Sequence, residues 1–169
     1  MSGLAACYVK KESITSHRRF IEVPTKPHIK TFITNEYGEN GVLVAKQNQF
    51  LGVAVATILE KIPHLRVKSR KKAAGCFLKI YLPDEIKHAK VSEQSIELLS
   101  TFFEKLLFEK LCSFVRYAHE VGLSERGAVT SFLKIYDIEN EVWDYDAAYS
   151  CWKRRKQAIV KQRKINLPL

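Results

Sequence analysis

Apolar residues recur at two different spacings along this chain, and the change between them predicts its organisation. Before about residue 83, short alternating or β-branched runs indicate strands at 18–23, 41–45 and 75–82, and either a strand or a basic loop at 64–72. From residue 92 onward, apolar positions follow the spacing of three and four residues that is typical of helices. The chain therefore predicts a sheet first and packed helices afterwards.

Two helices separate the strands of the first part. One runs from residue 25 or 26 to 37, with Thr25 as the candidate N-cap, Pro27 in the first turn and Gly38 at its end. The other covers residues 49–62, an apolar run before Pro63. Its β-branched residues also fit a strand, but its length favours a helix.

Three helices follow in the second part. The first spans residues 92–121 and ends at Gly122, and the second starts from Ser124 as N-cap. After the acidic break at 137–144, in which we expect Trp143 to be partly exposed, Asp144 caps the last helix. The apolar stripe predicted for that helix comprises Tyr145, Ala148, Tyr149, Trp152 and Ile159.

These elements predict an α+β fold: a small N-terminal antiparallel sheet with two helices, then a C-terminal three-helix bundle resembling a helix-turn-helix unit. The predicted organisation is a flexible N-terminal arm at 1–16, a small α/β module at 17–90 and a helical module at 91–169 with a basic last helix.

The net charge and the absence of known site motifs limit the classes of function that this sequence can have. The 169 residues carry a formal net charge of +10, which favours a polyanionic partner. Four cysteines and five histidines are scattered without metal-binding spacing, and no nucleophile–base pair or glycine-rich phosphate loop is present. We therefore expect no catalytic residues, no metal and no cofactor. No apolar run approaches the roughly 18 residues of a membrane span.

Two clusters of cations are the candidate nucleic-acid-binding residues. The larger one lies in the last helix and comprises Lys153, Arg154, Arg155, Lys156, Lys161, Arg163 and Lys164. Cations near a C-terminus stabilise any helix, but one or two are enough for that effect. The second cluster comprises Arg66, Lys68, Arg70, Lys71 and Lys72, for which phosphate contact and a solvated strand edge are equally good explanations.

Other residues bear on how nucleic acid would be held. The acids Asp144 and Asp146 begin the last helix, where a groove-reading helix usually meets base edges, and phosphates would repel them. Several aromatic residues are candidates for stacking on unpaired bases, although core packing is the better explanation for most of them: Phe20, Tyr81, Trp143, Tyr145, Tyr149 and Trp152.

The C-terminal part also carries a resemblance. Residues 128–138 (AVTSFLKIYDI) followed by residues 145–155 (YDAAYSCWKRR) resemble the C-terminal helix-turn-helix segments of small proteins from bacteriophages and mobile elements. The shared pattern is an apolar helix ending in an aromatic residue before isoleucine, and then Tyr-x-x-Trp-Lys-Arg. The break between the two helices is longer than the tight turn of repressors.

Together, these features predict a non-enzymatic DNA-binding accessory or regulatory protein of a phage or mobile element, with DNA favoured over RNA as its partner. The alternative is a structural or assembly protein of a phage particle, with a homo-oligomer or another phage protein as partner. A third hypothesis, binding to an anionic membrane surface, requires Trp152 and Ile159 to be exposed. The expected location is the host cytoplasm, or the virion.

Overall fold

Three strands and five helices make up the part of the chain that the structure, a computed structural model, describes: residues 19–39, 41–46, 48–61, 76–82 and 91–165. In order they are β1 (Phe20–Pro24), α1 (Pro27–Tyr37), β2 (Leu43–Val44), α2 (Phe50–Lys61), β3 (Phe77–Tyr81), α3 (Glu93–Glu120), α4 (Glu125–Ile135) and α5 (Tyr145–Ile165). The predicted α+β class is confirmed. The predictions for residues 1–16 and 64–72 lie outside the described residues.

The sheet is mixed, so the prediction of an antiparallel sheet is wrong. Its strand order is β1-β3-β2, with β1 antiparallel and β2 parallel to β3. A parallel pair needs a crossover connection, and α2 lies in the connection between β2 and β3. β2 is also shorter than predicted, with two paired residues.

The two faces of the sheet differ because side chains alternate along each strand. Ile21 and Val23 of β1, with Leu78 and Ile80 of β3, are buried in the core. The opposite face carries three cross-strand pairs, which are Phe20 with Tyr81, Glu22 with Lys79, and Pro24 with Phe77. Helix α3 packs against β1, where the Ser100 hydroxyl donates a hydrogen bond of 2.7 Å to the Pro24 carbonyl oxygen.

The start of α1 differs from the prediction. Its N-cap is Lys26, which makes no side-chain capping bond, and Pro27 opens the helix. Thr25 instead continues the sheet beyond β1, because its backbone N–H donates to the Cys76 carbonyl oxygen at 3.0 Å. The buried Thr25 hydroxyl has no hydrogen-bond partner in the described part of the chain.

The starts of α3 and α4 agree with the prediction: α3 begins directly after Ser92, and Ser124 is confirmed as the N-cap of α4. Ser92 accepts from the Ser95 backbone N–H, and Ser124 accepts from the Gly127 backbone N–H. Between α3 and α4, Gly122 has a φ of +93°, a conformation that glycine adopts without strain. Helix α3 contacts α1, α2, β1, α4 and α5, and one continuous cluster of buried residues runs from the sheet to α5.

Among the described helices, none combines the length and the apolar character needed to cross a membrane. The division into modules at 17–90 and 91–169 stays a prediction.

Candidate nucleic-acid interface

Helix α5 is attached to the core by its first half. As predicted, Asp144 caps it, with one carboxylate oxygen accepting from the Asp146 backbone N–H at 3.3 Å. Ala148 and Trp152 are buried, Trp152 with only 3% of its surface exposed, and Tyr149 is half-buried against the core. From residue 153 to 158 every side chain is exposed. The predicted inner stripe is therefore confirmed as far as Trp152.

Two cations of the C-terminal cluster pair with carboxylates of neighbouring helices. Arg155 forms an ion pair with Glu109 of α3, and Lys156 forms one of 2.6 Å with Glu125 of α4. The hydrogen bond from Lys156 is the main cause that lowers the pKa of Glu125. These contacts attach α5 to both α3 and α4, so Arg155 and Lys156 have a structural use that the sequence did not indicate.

The indole N–H of Trp152 lies beside the same carboxylate. It is buried and makes no hydrogen bond of standard geometry in the described part of the chain, yet it contributes to the lowered pKa of Glu125. Its burial opposes the membrane-surface hypothesis, which requires an exposed tryptophan here.

Lys153 and Arg154, the other half of the KRRK run, have no carboxylate partner among the described residues. The Arg154 guanidinium donates within its own helix, to the Ser150 carbonyl oxygen at 3.4 Å and to the Cys151 sulfur at 3.2 Å. The Lys153 ammonium lies 4.9 Å from the centre of the Tyr149 ring. Both side chains are exposed, so their remaining donors face solvent.

Sequence reasoning missed a third cation at this surface, Arg126 of α4. Its guanidinium carbon lies 5.7 Å from the centre of the Tyr149 ring, so Tyr149 contacts one cation from each helix. A signal was present: Arg126, Thr130 and Lys134 recur every four residues, on the side of α4 opposite its buried stripe. We call Arg126, Lys153 and Arg154, with Tyr149 between them, the α4/α5 cationic surface.

A shallow cleft of about 350 Å³ continues this surface towards the start of α5. It is lined by Thr130, Leu133, Lys134, Ile138, Asn140 and Tyr145. The Tyr145 ring stacks on Tyr149, with centres 5.9 Å apart and planes within 9° of parallel. The Asn140 side-chain oxygen accepts from the Tyr145 backbone N–H at 3.1 Å and so fixes the first turn of α5 beside the cleft.

The prediction that Trp143 is partly exposed is wrong. The break before α5 folds back over α1, where Trp143 is buried and stacks on His28 with ring centres 4.6 Å apart. Burial, and secondarily the charge of Lys26, lowers the pKa of His28 below 6.5. Trp143 and Trp152 are thus core residues. Of the other aromatic candidates, Phe20 is exposed, and the tyrosines at 81, 145 and 149 are half-buried.

The remaining candidate cations lie outside the α4/α5 cationic surface or outside the described part of the chain. Lys161 is exposed on α5. The side chains of Arg163 and Lys164 lie outside the described part of the chain, as does the whole second cluster: Arg66, Lys68, Arg70, Lys71 and Lys72.

In comparisons with known proteins, no family model matches this sequence, and no curated protein and no solved structure matches it. A function must therefore be inferred from the surface itself.

Proposed function

We propose that this chain is a non-enzymatic DNA-binding protein of the accessory or regulatory kind, which holds the phosphate backbone with the α4/α5 cationic surface. One observation carries the proposal. Adjacent cations on α5 differ in their use: Arg155 and Lys156 are paired with carboxylates, whereas Lys153 and Arg154 face solvent beside Arg126. Such a group of unpaired cations attracts a polyanion and gains affinity by releasing its counterions.

The C-terminal helices support a helix-turn-helix-like unit. α4 and α5 are in contact, both contact α3, and nine residues separate the end of α4 from the start of α5. This connection is longer than the three to four residues of the simplest version of the motif. The proposed unit therefore has three helices in mutual contact, as the proposal requires, but a longer connection than the simplest motif.

Contact with the phosphate backbone of DNA fits this surface better than contact with base edges. The N-terminal end of α5 carries the exposed acids Asp144 and Asp146, which phosphates would repel if this end entered a groove. The cations lie further along the helix. Tyr149 offers only its ring face to Lys153 and Arg126, so their N–H donors stay available for phosphate oxygens.

The resemblance of the C-terminal segment to small proteins of bacteriophages and mobile elements supports such a setting. In that setting the protein acts on DNA in the host cytoplasm.

The test compares two double variants that remove equal charge. Lys153→Ala/Arg154→Ala should weaken binding to a fluorescent duplex by at least roughly tenfold, the equivalent of losing one charge-assisted hydrogen bond. The control Lys30→Ala/Lys46→Ala removes the exposed Lys30 and the half-buried Lys46, which pairs with Glu39; both lie outside α4 and α5, and their loss should change affinity far less. Equal losses in both variants would show that only net charge matters and would contradict the proposed surface.

Competition with unlabelled nucleic acids separates the two functional hypotheses. A regulatory protein should prefer one DNA sequence and give a discrete footprint, whereas an assembly protein should bind unrelated duplexes equally. Preference for RNA over the same DNA sequence would contradict the choice of DNA.

A further inference from the structure

The sheet face that points away from the helices is aromatic. Its three cross-strand pairs are Phe20 with Tyr81, Glu22 with Lys79, and Pro24 with Phe77. Phe20 is 44% exposed and Phe77 is 49% exposed. The half-buried Val44 of β2 pairs with Tyr81 and extends the apolar row to the third strand. We call this surface the outer sheet face.

Such a face is unusual for a strand pair that meets solvent. The uncovered side of an antiparallel pair normally carries polar residues. Here three of the six paired residues are aromatic, and the Lys79 ammonium covers only one ring, lying 4.0 Å from the centre of Phe20. Exposed aromatic clusters with few charges are characteristic of protein interfaces.

The charges on this face indicate which partner it fits. Among the three pairs only Glu22 and Lys79 are charged, and they lie directly opposite each other on β1 and β3. The face is thus locally neutral on a chain with a net charge of +10. A polyanion gains nothing from a neutral face, and an acidic protein would meet Glu22. A second copy of the chain can approach here without the repulsion that its net charge would cause elsewhere.

We propose that two copies associate through the outer sheet face, around a two-fold axis that runs between β1 and β3 and parallel to them. This axis places Glu22 opposite the partner's Lys79, Phe20 opposite the partner's Tyr81, and Pro24 opposite the partner's Phe77. An axis perpendicular to the strands would instead place Glu22 opposite the partner's Glu22. The charges therefore favour the first arrangement, because Glu22 then lies opposite the partner's Lys79, and the two-fold symmetry repeats this contact once.

This association does not rest on the proposed DNA contact, and it is measured without nucleic acid. If both hold, the dimer carries two α4/α5 cationic surfaces.

The first test measures the mass of the full chain in solution over a range of concentrations. The wild type should be a dimer at micromolar concentrations, in keeping with a small interface. Phe20→Ser/Phe77→Ser should dissociate at least roughly tenfold more readily. The matched control, Phe50→Ser/Val53→Ser, alters residues of α2 that are 62% and 52% exposed, and it should leave the dimer intact.

The second test uses charge reversal and mixing. Glu22→Lys alone, or Lys79→Glu alone, places like charges across the proposed axis, so each variant should be mainly monomeric. Mixed together, the two variants restore opposite charges at both contacts and should form a dimer at least roughly tenfold more stable than either variant alone. Within each chain the reversed pair stays like-charged, so any change in fold stability is the same before and after mixing.

Circular dichroism establishes that each variant is folded. A monomeric wild type at about 100 μM would overturn the proposal, since interfaces of this kind associate below that concentration. So would a dimer that survives Phe20→Ser/Phe77→Ser, or a pair of charge variants that gain nothing from mixing.

Discussion

Replacement of Trp152 tests whether α5 is held by its inner stripe. Trp152 is 3% exposed and lies on the same stripe as the buried Ala148. Replacing a buried tryptophan with alanine costs about 3–5 kcal/mol, because contacts are lost and a cavity remains. Domains commonly have about 5–15 kcal/mol of stability in total, so Trp152→Ala should loosen or unfold the C-terminal helices.

Urea denaturation followed by circular dichroism gives the change in unfolding free energy. The chain has two tryptophans, so this variant leaves Trp143 as the only one, stacked on His28 of α1. Its fluorescence reports whether the packing against α1 survives when α5 is released. Arg154→Ala, on the exposed side of α5, is the control and should change stability by less than about 0.5 kcal/mol.

A loss below about 1 kcal/mol for Trp152→Ala would mean that Trp152 is not packed as described. If Trp152→Ala stays folded but cannot bind DNA, while Lys153→Ala/Arg154→Ala binds normally, the inner and outer sides of α5 are reversed.

Other predictions follow from buried and capping groups. Because burial lowers the pKa of His28, the unfolded chain binds more protons than the folded one below about pH 7, and stability should fall as the pH drops through 6.5. His28→Gln should reduce that fall in melting temperature between about pH 7.5 and about pH 5.5, and an unchanged fall would contradict the assignment. Tyr136→Phe removes the 2.7 Å hydrogen bond from the Tyr136 hydroxyl to Glu36 and should cost about 1.5 kcal/mol in urea denaturation; no loss would mean that Lys110 alone satisfies the carboxylate. Ser124→Ala removes the N-cap of α4 and should cost about 1 kcal/mol, whereas Ser124→Thr should recover most of it.

Local features of the fold could be predicted from the sequence, because their causes lie within a few residues. The start of α3 at Ser92, the cap at Ser124 and the stop at Gly122 depend on neighbouring backbone groups. The parallel pairing of β2 with β3 could not be predicted in this way, because it depends on where α2 returns the chain. Similarly, the burial of Trp143 depends on α1, far away in the sequence.

The candidate site could likewise be predicted only in part from the sequence, because its ion pairs join residues far apart in the chain. The sequence identifies a run of four cations, but their division depends on Glu109 and Glu125, which lie 46 and 31 residues before the arginine and lysine that they bind. Arg126 joins the site only because α4 packs beside α5. Helical spacing can suggest which side chains face outward, whereas it cannot show which of them already have an acidic partner.

The salt dependence of DNA binding tests the central claim most directly. With Lys153, Arg154 and Arg126 on phosphates, the logarithm of the binding constant should fall with the logarithm of salt concentration with a slope of about −2.7, or more steeply if a dimer binds. Lys153→Ala/Arg154→Ala should reduce that slope by about 1.8, since each lost contact removes about 0.9. A wild-type slope near zero, or a slope that the double variant leaves unchanged, would contradict the proposed surface.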